Sequence, residues 1–186
     1  VNGATVTIKN GNLNLAATKA NDASIGVYAG STLNVENVDV SAPYTAFIVY
    51  GDATALRITE NSYVSAGTYA IGTNSGAEEN YGVEITVKDS VLDTANYDDG
   101  NDNTAMFVVV PSQVLIMNSR LIGDRQALIV RGGKTMLMNS ELVATGAFEN
   151  KDAYTTSEWK NGNEVPTAAL IVGDRQSGYK EFDTFV

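Results

Sequence analysis

The residues best suited to chemistry are three aspartates of one short acidic segment, Asp98, Asp99 and Asp102. Carboxylate oxygens are the ligands that Ca²⁺ prefers, so this cluster is a candidate calcium site. Its spacing does not match the EF-hand loop, and the alternative is an acidic turn that only contacts water. The chain has no His and no Cys. This excludes a Ser-His-Asp arrangement, a Cys or His nucleophile and an ordinary zinc site, so we expect no cofactor other than calcium.

The overall charge restricts the partners. The net charge is −10 and the pI is about 4.3, with the acidic residues spread along the chain. Nucleic acid and anionic membrane surfaces require clustered Lys and Arg, so neither is an expected partner. No apolar stretch approaches the ~20 residues of a membrane span, and no signal-peptide pattern opens the sequence. Because the chain opens directly in a strand pattern, we expect residues 1–186 to be one β-rich domain of a longer protein.

The elements that must position these groups form an internal repeat. In each copy, an alternating strand pattern ends at an asparagine or aspartate, and a second short strand pattern follows directly. The copies recur within the ~20–50-residue range that is typical of solenoids and propellers. The six residues that end the strand patterns are Asn10, Asn37, Asn61, Asp89, Asn118 and Asn139.

Each copy also contains an earlier apolar run, such as residues 105–109 or 127–130, which is usually followed by a glycine-marked turn. Three short strands per copy, repeated in phase, predict an all-β parallel β-helix with three sheets and about six coils. A β-sandwich gives no reason for one residue type to recur at the same bend. A leucine-rich repeat requires a denser leucine framework. The bias of parallel crossover connections predicts a right-handed path.

The recurring Asn has a structural explanation. A tight bend requires left-handed backbone, which Asn and Asp tolerate better than other non-glycine residues. Stacked amides can hydrogen-bond from coil to coil, and we expect them to satisfy groups buried beside the core. Asp89 interrupts the row, and its carboxylate requires its own donors.

These strand-Asn-strand coils resemble the right-handed parallel β-helix of the pectate and pectin lyase superfamily, which carries an asparagine ladder at the same corner. The Ala-Leu-Ile-Val runs at 127–130 and 169–172 and the Met-Asn-Ser runs at 117–119 and 138–140 are most similar to repeats of non-catalytic bacterial surface and secreted proteins. The resemblance covers roughly residues 3–173, and it identifies architecture rather than activity.

In such enzymes the substrate lies across the first sheet, so the resemblance implies a groove over the coil at 123–131. The long loops 93–104 and 144–167 would form its walls. Aromatic rings, Arg and Asp suit the recognition of sugars and acidic sugars. The alternative is that the loops only decorate a tolerant position. The expected floor consists of Arg125, Gln126, Ile129 and Arg131, and the expected rims carry Tyr97, Tyr154 and Trp159.

The catalytic patterns of the superfamily are poorly matched. The polygalacturonase branch uses a Gly-His-Gly motif, and this chain has no histidine. The pectate lyase branch uses Ca²⁺ held by acids on the first sheet, with Arg or Lys as the base. Only Arg131 lies in a usable place.

The outward row of the first sheet is expected to be apolar. If Leu128 and Val130 face the core, then Ile48, Phe107, Ile129 and Ile171 face outward, and Tyr28 and Tyr50 extend the row. An exposed apolar strip of this length normally marks an interface. The loop 144–167, the tail 174–186 or another protein could cover it.

The sequence therefore favours a non-catalytic, extracellular or cell-surface module, an adhesin or stalk that presents loops and one sheet face to a glycan or a protein. The competing hypothesis is a polysaccharide lyase or glycosidase acting on acidic polysaccharide over residues 123–131. A convergent set of acids and a base on the first sheet would distinguish the two.

Overall fold

The computed structural model describes residues 3–16, 23–28, 30–73, 82–96, 103–146, 168–173 and 182–186. Over these residues the chain is all-β, and every strand pair is parallel. In chain order the described strands are β1 Thr5–Asn14, β2 Ala23–Val27, β3 Thr32–Ala42, β4 Thr45–Val49, β5 Ala55–Thr59, β6 Tyr63–Ala66, β7 Tyr69–Gly72, β8 Val83–Lys88, β9 Val91–Asp93, β10 Thr104–Val108, β11 Ser112–Met117, β12 Arg120–Gly123, β13 Gln126–Val130, β14 Gly133–Met138, β15 Glu141–Ala144, β16 Ala168–Val172 and β17 Thr184–Phe185.

The strands form two hydrogen-bonded sheets. One is six-stranded, in the order β16-β13-β10-β7-β4-β2. The other branches at β3: one arm continues through β5, β8, β11, β14 and β17, and the other through β6, β9, β12 and β15. The branch arises because β1 and β3 run through the asparagine bend without a break, so each of them belongs to both arms. Each coil thus stacks on the previous one, which is a parallel β-solenoid.

The core is a stack of inward-facing aliphatic rows. Along the first arm, Leu33 pairs in register with Leu56, Leu56 with Ile85, and Ile85 with Val114, and all four are buried. Residues on the two sides of each inward residue are more exposed, as in β8, because side chains alternate along a strand. Similar residues therefore pack on one another from coil to coil.

The six-stranded sheet is buried more completely than alternation alone requires. All five residues of β10 and all five of β13 are buried. In β4, by contrast, Ile48 is partly exposed between the buried Phe47 and Val49. Phe107, Ile129 and Ile171 lie in one register row, and all three are buried within the single chain. Over these coils, the apolar strip that was expected to be exposed on this face is therefore buried.

The described end of the tail lies on the branched sheet. It forms β17, in which Thr184 and Phe185 pair with Gly133 and Lys134 of the first arm. The backbone of Gly132 also lies close to Phe182. Residues 182–186 therefore extend the branched sheet and do not cover the six-stranded sheet.

Candidate functional site

The coil at 123–131 holds its charged residues in buried positions. Arg125 and Arg131 are each 6 % exposed, and Asp124 is 2 % exposed. The hydroxyl of Thr145 donates to Oδ1 of Asp124 at 3.1 Å. Gln126 accepts a hydrogen bond from the hydroxyl of Thr104 at 2.9 Å. The residues expected to form the floor of an open groove are thus buried, and Asp124 and Gln126 bond to other residues of the chain. Ligand binding by Arg125 and Arg131 stays a prediction.

Arg131 packs on an aromatic pair that lies on the two preceding coils. Its guanidinium carbon lies 5.1 Å from the ring centroid of Phe107, within the range of a cation–π contact. The Phe107 ring in turn stacks on Tyr69, with 5.2 Å between centroids. A guanidinium cannot be deprotonated in proteins, so this geometry favours a packing role for Arg131 over that of a base.

Several predicted residues lie outside the described part of the chain. These are the rim residues Tyr97, Tyr154 and Trp159 and the candidate calcium ligands Asp98, Asp99 and Asp102. Within the described ranges, no group of three or more acidic side chains is placed to hold a metal ion. The described start of the 93–104 loop is anchored by Asp93, which accepts from the Tyr63 hydroxyl at 2.7 Å and the Asn96 amide at 2.9 Å.

A tyrosine pair lies at the start of the six-stranded sheet. Tyr28 and Tyr50 meet edge to face, with 4.5 Å between ring centroids. Burial raises the pKa of Tyr50 to about 12, and a hydrogen bond with Tyr28 contributes to the same direction. The two residues follow neighbouring strands, β2 and β4, and their rings form one aromatic surface across two coils.

The asparagine bend forms a ladder on the protein surface. All six bend residues have positive φ, between 46° and 61°. The amide Nδ2 of Asn37 donates to Oδ1 of Asn10 at 2.9 Å, and Asn139 donates in the same way to Asn118 at 3.0 Å. These bonds join exposed groups rather than groups buried beside the core. The ladder thus fixes the bend from the outside.

Asp89 changes the pattern of the ladder. Asn118 donates to Oδ1 of Asp89 at 2.9 Å. An ionised carboxylate only accepts hydrogen bonds, so Asp89 cannot donate to Asn61 on the preceding coil. Among the described side chains, the ladder hydrogen bonds join Asn10 to Asn37, Asp89 to Asn118 and Asn118 to Asn139. The side-chain amide of Asn61 takes no part in these bonds and is available to other groups.

A second ladder, which the sequence analysis missed, lies directly beside the first. Ser62, Ser90, Ser119 and Ser140 each follow a bend residue. The backbone N–H of Ser90 donates to Ser119 Oγ at 3.2 Å, and that hydroxyl donates to the Met117 carbonyl at 2.7 Å. The hydroxyls of Ser62, Ser119 and Ser140 each accept from a backbone N–H of the preceding coil and so join two coils at the bend, whereas the hydroxyl of Ser90 donates to the Lys88 carbonyl of its own coil. The repeated Asn-Ser or Asp-Ser pair was the available signal.

The two ladders form one wall of an open groove of about 650 Å³ that crosses four coils. Arg120 and Glu141 lie on its other side, joined by an ion pair of 2.8 Å between Nε and Oε2. Tyr63 and Val91 complete this side. The remaining lining residues are Asn61, Ser62, Asp89, Ser90, Asn118, Ser119, Asn139 and Ser140.

No family model, curated protein or solved structure matches this chain. Among the described residues, no helix is long and apolar enough to span a membrane.

Proposed function

We propose that the chain is a right-handed, three-sheeted parallel β-helix of about six coils, similar to the pectate and pectin lyase architecture. Two observations support this. All described pairs are parallel, and parallel crossovers are right-handed in most proteins. The two arms of the branched sheet also separate at the asparagine bend, as two sheets that meet at a corner would.

The function that we propose is a non-catalytic extracellular or cell-surface module, an adhesin or stalk of bacterial type, which binds a glycan or a cell-surface protein. The observation that carries this proposal is the open polar groove, where four consecutive coils offer the same amide and carboxylate row to solvent. The charged residues expected to act in the first-sheet groove are buried.

A second candidate function is a polysaccharide lyase or glycosidase that acts over the coil at 123–131, with calcium held by Asp98, Asp99 and Asp102. One observation favours it: Asp124, Arg125 and Arg131 are charged, buried and on one coil. Buried charges are enriched at functional sites, although structural networks contain them too.

A glycan-array screen tests the proposed function. We expect binding with micromolar to millimolar affinity, as is usual for small open sites. A parallel array of the Trp159→Ala variant tests whether the predicted rim contributes. The absence of glycan binding, together with no capture of a cell-surface protein by the immobilised chain, would contradict the proposal.

A further inference from the structure

The groove beside the asparagine ladder has the features of a binding site that the sequence analysis did not assign. It is formed by the bend residues, the serines that follow them and the outward residues of β6, β9, β12 and β15. Its lining repeats once per coil, about 4.8 Å apart. A surface with such a period fits a ligand that is itself an extended polymer lying parallel to the solenoid axis.

The hydrogen-bonding groups of the groove are suited to hydroxyl groups. The ladder is interrupted between Asn61 and Asp89, because the carboxylate has no proton to donate. Asn61 therefore offers both an amide donor and a carbonyl acceptor, and Asp89 offers further acceptor positions. A sugar hydroxyl donates and accepts at the same time, so it can bridge these two residues.

The charge balance favours a neutral ligand. Arg120 and Glu141 neutralise each other across 2.8 Å, and both side chains are about half exposed. Lys88 Nζ lies 3.7 Å from Oδ2 of Asp89, so the charges at the groove are close to balanced, and the whole chain carries −10. The net negative charge of the chain would repel an acidic polysaccharide. The lining also lacks a deep apolar pocket for a peptide side chain, since Tyr63 and Val91 are its only largely apolar members.

We infer that this groove binds a neutral, hydroxyl-rich glycan that runs along the solenoid axis. Asn61 and Asp89 contact its hydroxyl groups at one end, and Arg120 and Glu141 do so at the other. The side of Tyr63 supplies an apolar surface for a sugar ring. This inference rests on the proposed function and assigns its ligand class and its site.

The test compares two matched double variants by calorimetric titration. Arg120→Ala/Glu141→Ala removes the ion pair of the groove. Arg57→Ala/Glu84→Ala removes an equally exposed Arg–Glu pair, 3.6 Å apart, on the other arm of the sheet. The probes are cellohexaose, xylohexaose, mannohexaose and chitohexaose, with hexagalacturonate as the acidic comparison.

We expect at least one neutral probe to bind, and the groove variant to weaken it about tenfold or more, which is a loss of about 1.4 kcal/mol. The control variant should change affinity less than about twofold, which corresponds to about 0.4 kcal/mol. Val91→Trp, which fills the groove and leaves its charges intact, should also abolish binding. Thermal unfolding of all variants checks that they fold.

Three results would overturn the inference: no neutral probe binds, hexagalacturonate binds more tightly than all of them, or the groove variants bind like the wild type. If array glycans bind and the groove variants retain that binding, the proposed function stands and only this site falls. If no glycan and no cell-surface protein binds, the proposed function falls as well.

Discussion

The side-chain amide of Asn118 donates to Oδ1 of Asp89 across 2.9 Å, from one coil to the coil before it. The only carboxylate of the ladder therefore accepts a hydrogen bond from the following coil, but it cannot donate one to the preceding coil. This asymmetry makes Asp89 both a weak point of the scaffold and an available acceptor in the groove.

Asp89→Asn should stabilise the fold by about 0.5–1.5 kcal/mol, the usual net contribution of one hydrogen bond. The new amide can donate to Asn61 and still accept from Asn118. The ion pair that is lost, 3.7 Å between Lys88 Nζ and Asp89 Oδ2, is exposed and contributes little. Urea unfolding measures the difference.

The matched control for this change is Asn118→Asp. It removes the donor to Asp89 and places two exposed carboxylates side by side, so it should destabilise the fold by about 0.5–1.5 kcal/mol, the usual net contribution of one hydrogen bond. If both variants have the same stability as the wild type, the ladder does not stabilise the bend.

Ser119→Ala should cost about 1–3 kcal/mol, because the buried N–H of Ser90 loses its acceptor. Ser65→Ala, at an outward position of β6, is the matched control and should change stability by less than about 0.5 kcal/mol. Equal losses in the two variants, measured by urea unfolding, would show that the serine ladder has no special role.

Leu128→Ala should cost about 2–5 kcal/mol, because a stacked core closes a cavity poorly. Leu128 is fully buried between its register partners Met106 and Leu170. Chemical denaturation gives the value, and a loss below about 1 kcal/mol would mean that the side chain does not fill the core.

The pH dependence of stability should show the effect of Tyr50. Its pKa in the folded protein is raised from 10.0 to about 12, so the folded state favours the protonated phenol. The resulting stabilisation is complete below pH 10.0 and is lost as the pH rises through about 12. The wild type should therefore lose more stability than Tyr50→Phe over this interval. Parallel curves for the two proteins, measured by urea unfolding, would exclude the effect.

The architecture could be predicted because local sequence encodes it. Left-handed backbone at six bends selects Asn or Asp, and alternation selects the inward rows. The serine ladder was harder to predict, because most of its hydroxyls have a partner on an adjacent coil. The burial of Arg125 and Arg131 could not be predicted, because it depends on contacts with residues that are distant in sequence, such as the contact of Arg131 with Phe107. β17 is too short to show any strand period.

The most direct test of the central claim, that this solenoid binds without catalysis, is an assay for released unsaturated or reducing sugar on pectic and other plant polysaccharides. General acid–base catalysis requires a group of suitable pKa within hydrogen-bond reach of the substrate. The chain has no histidine, and Arg131 packs on Phe107. We predict no release, with or without Ca²⁺. Turnover that is abolished by Arg131→Ala, or by Asp98→Ala in the presence of Ca²⁺, would contradict the account.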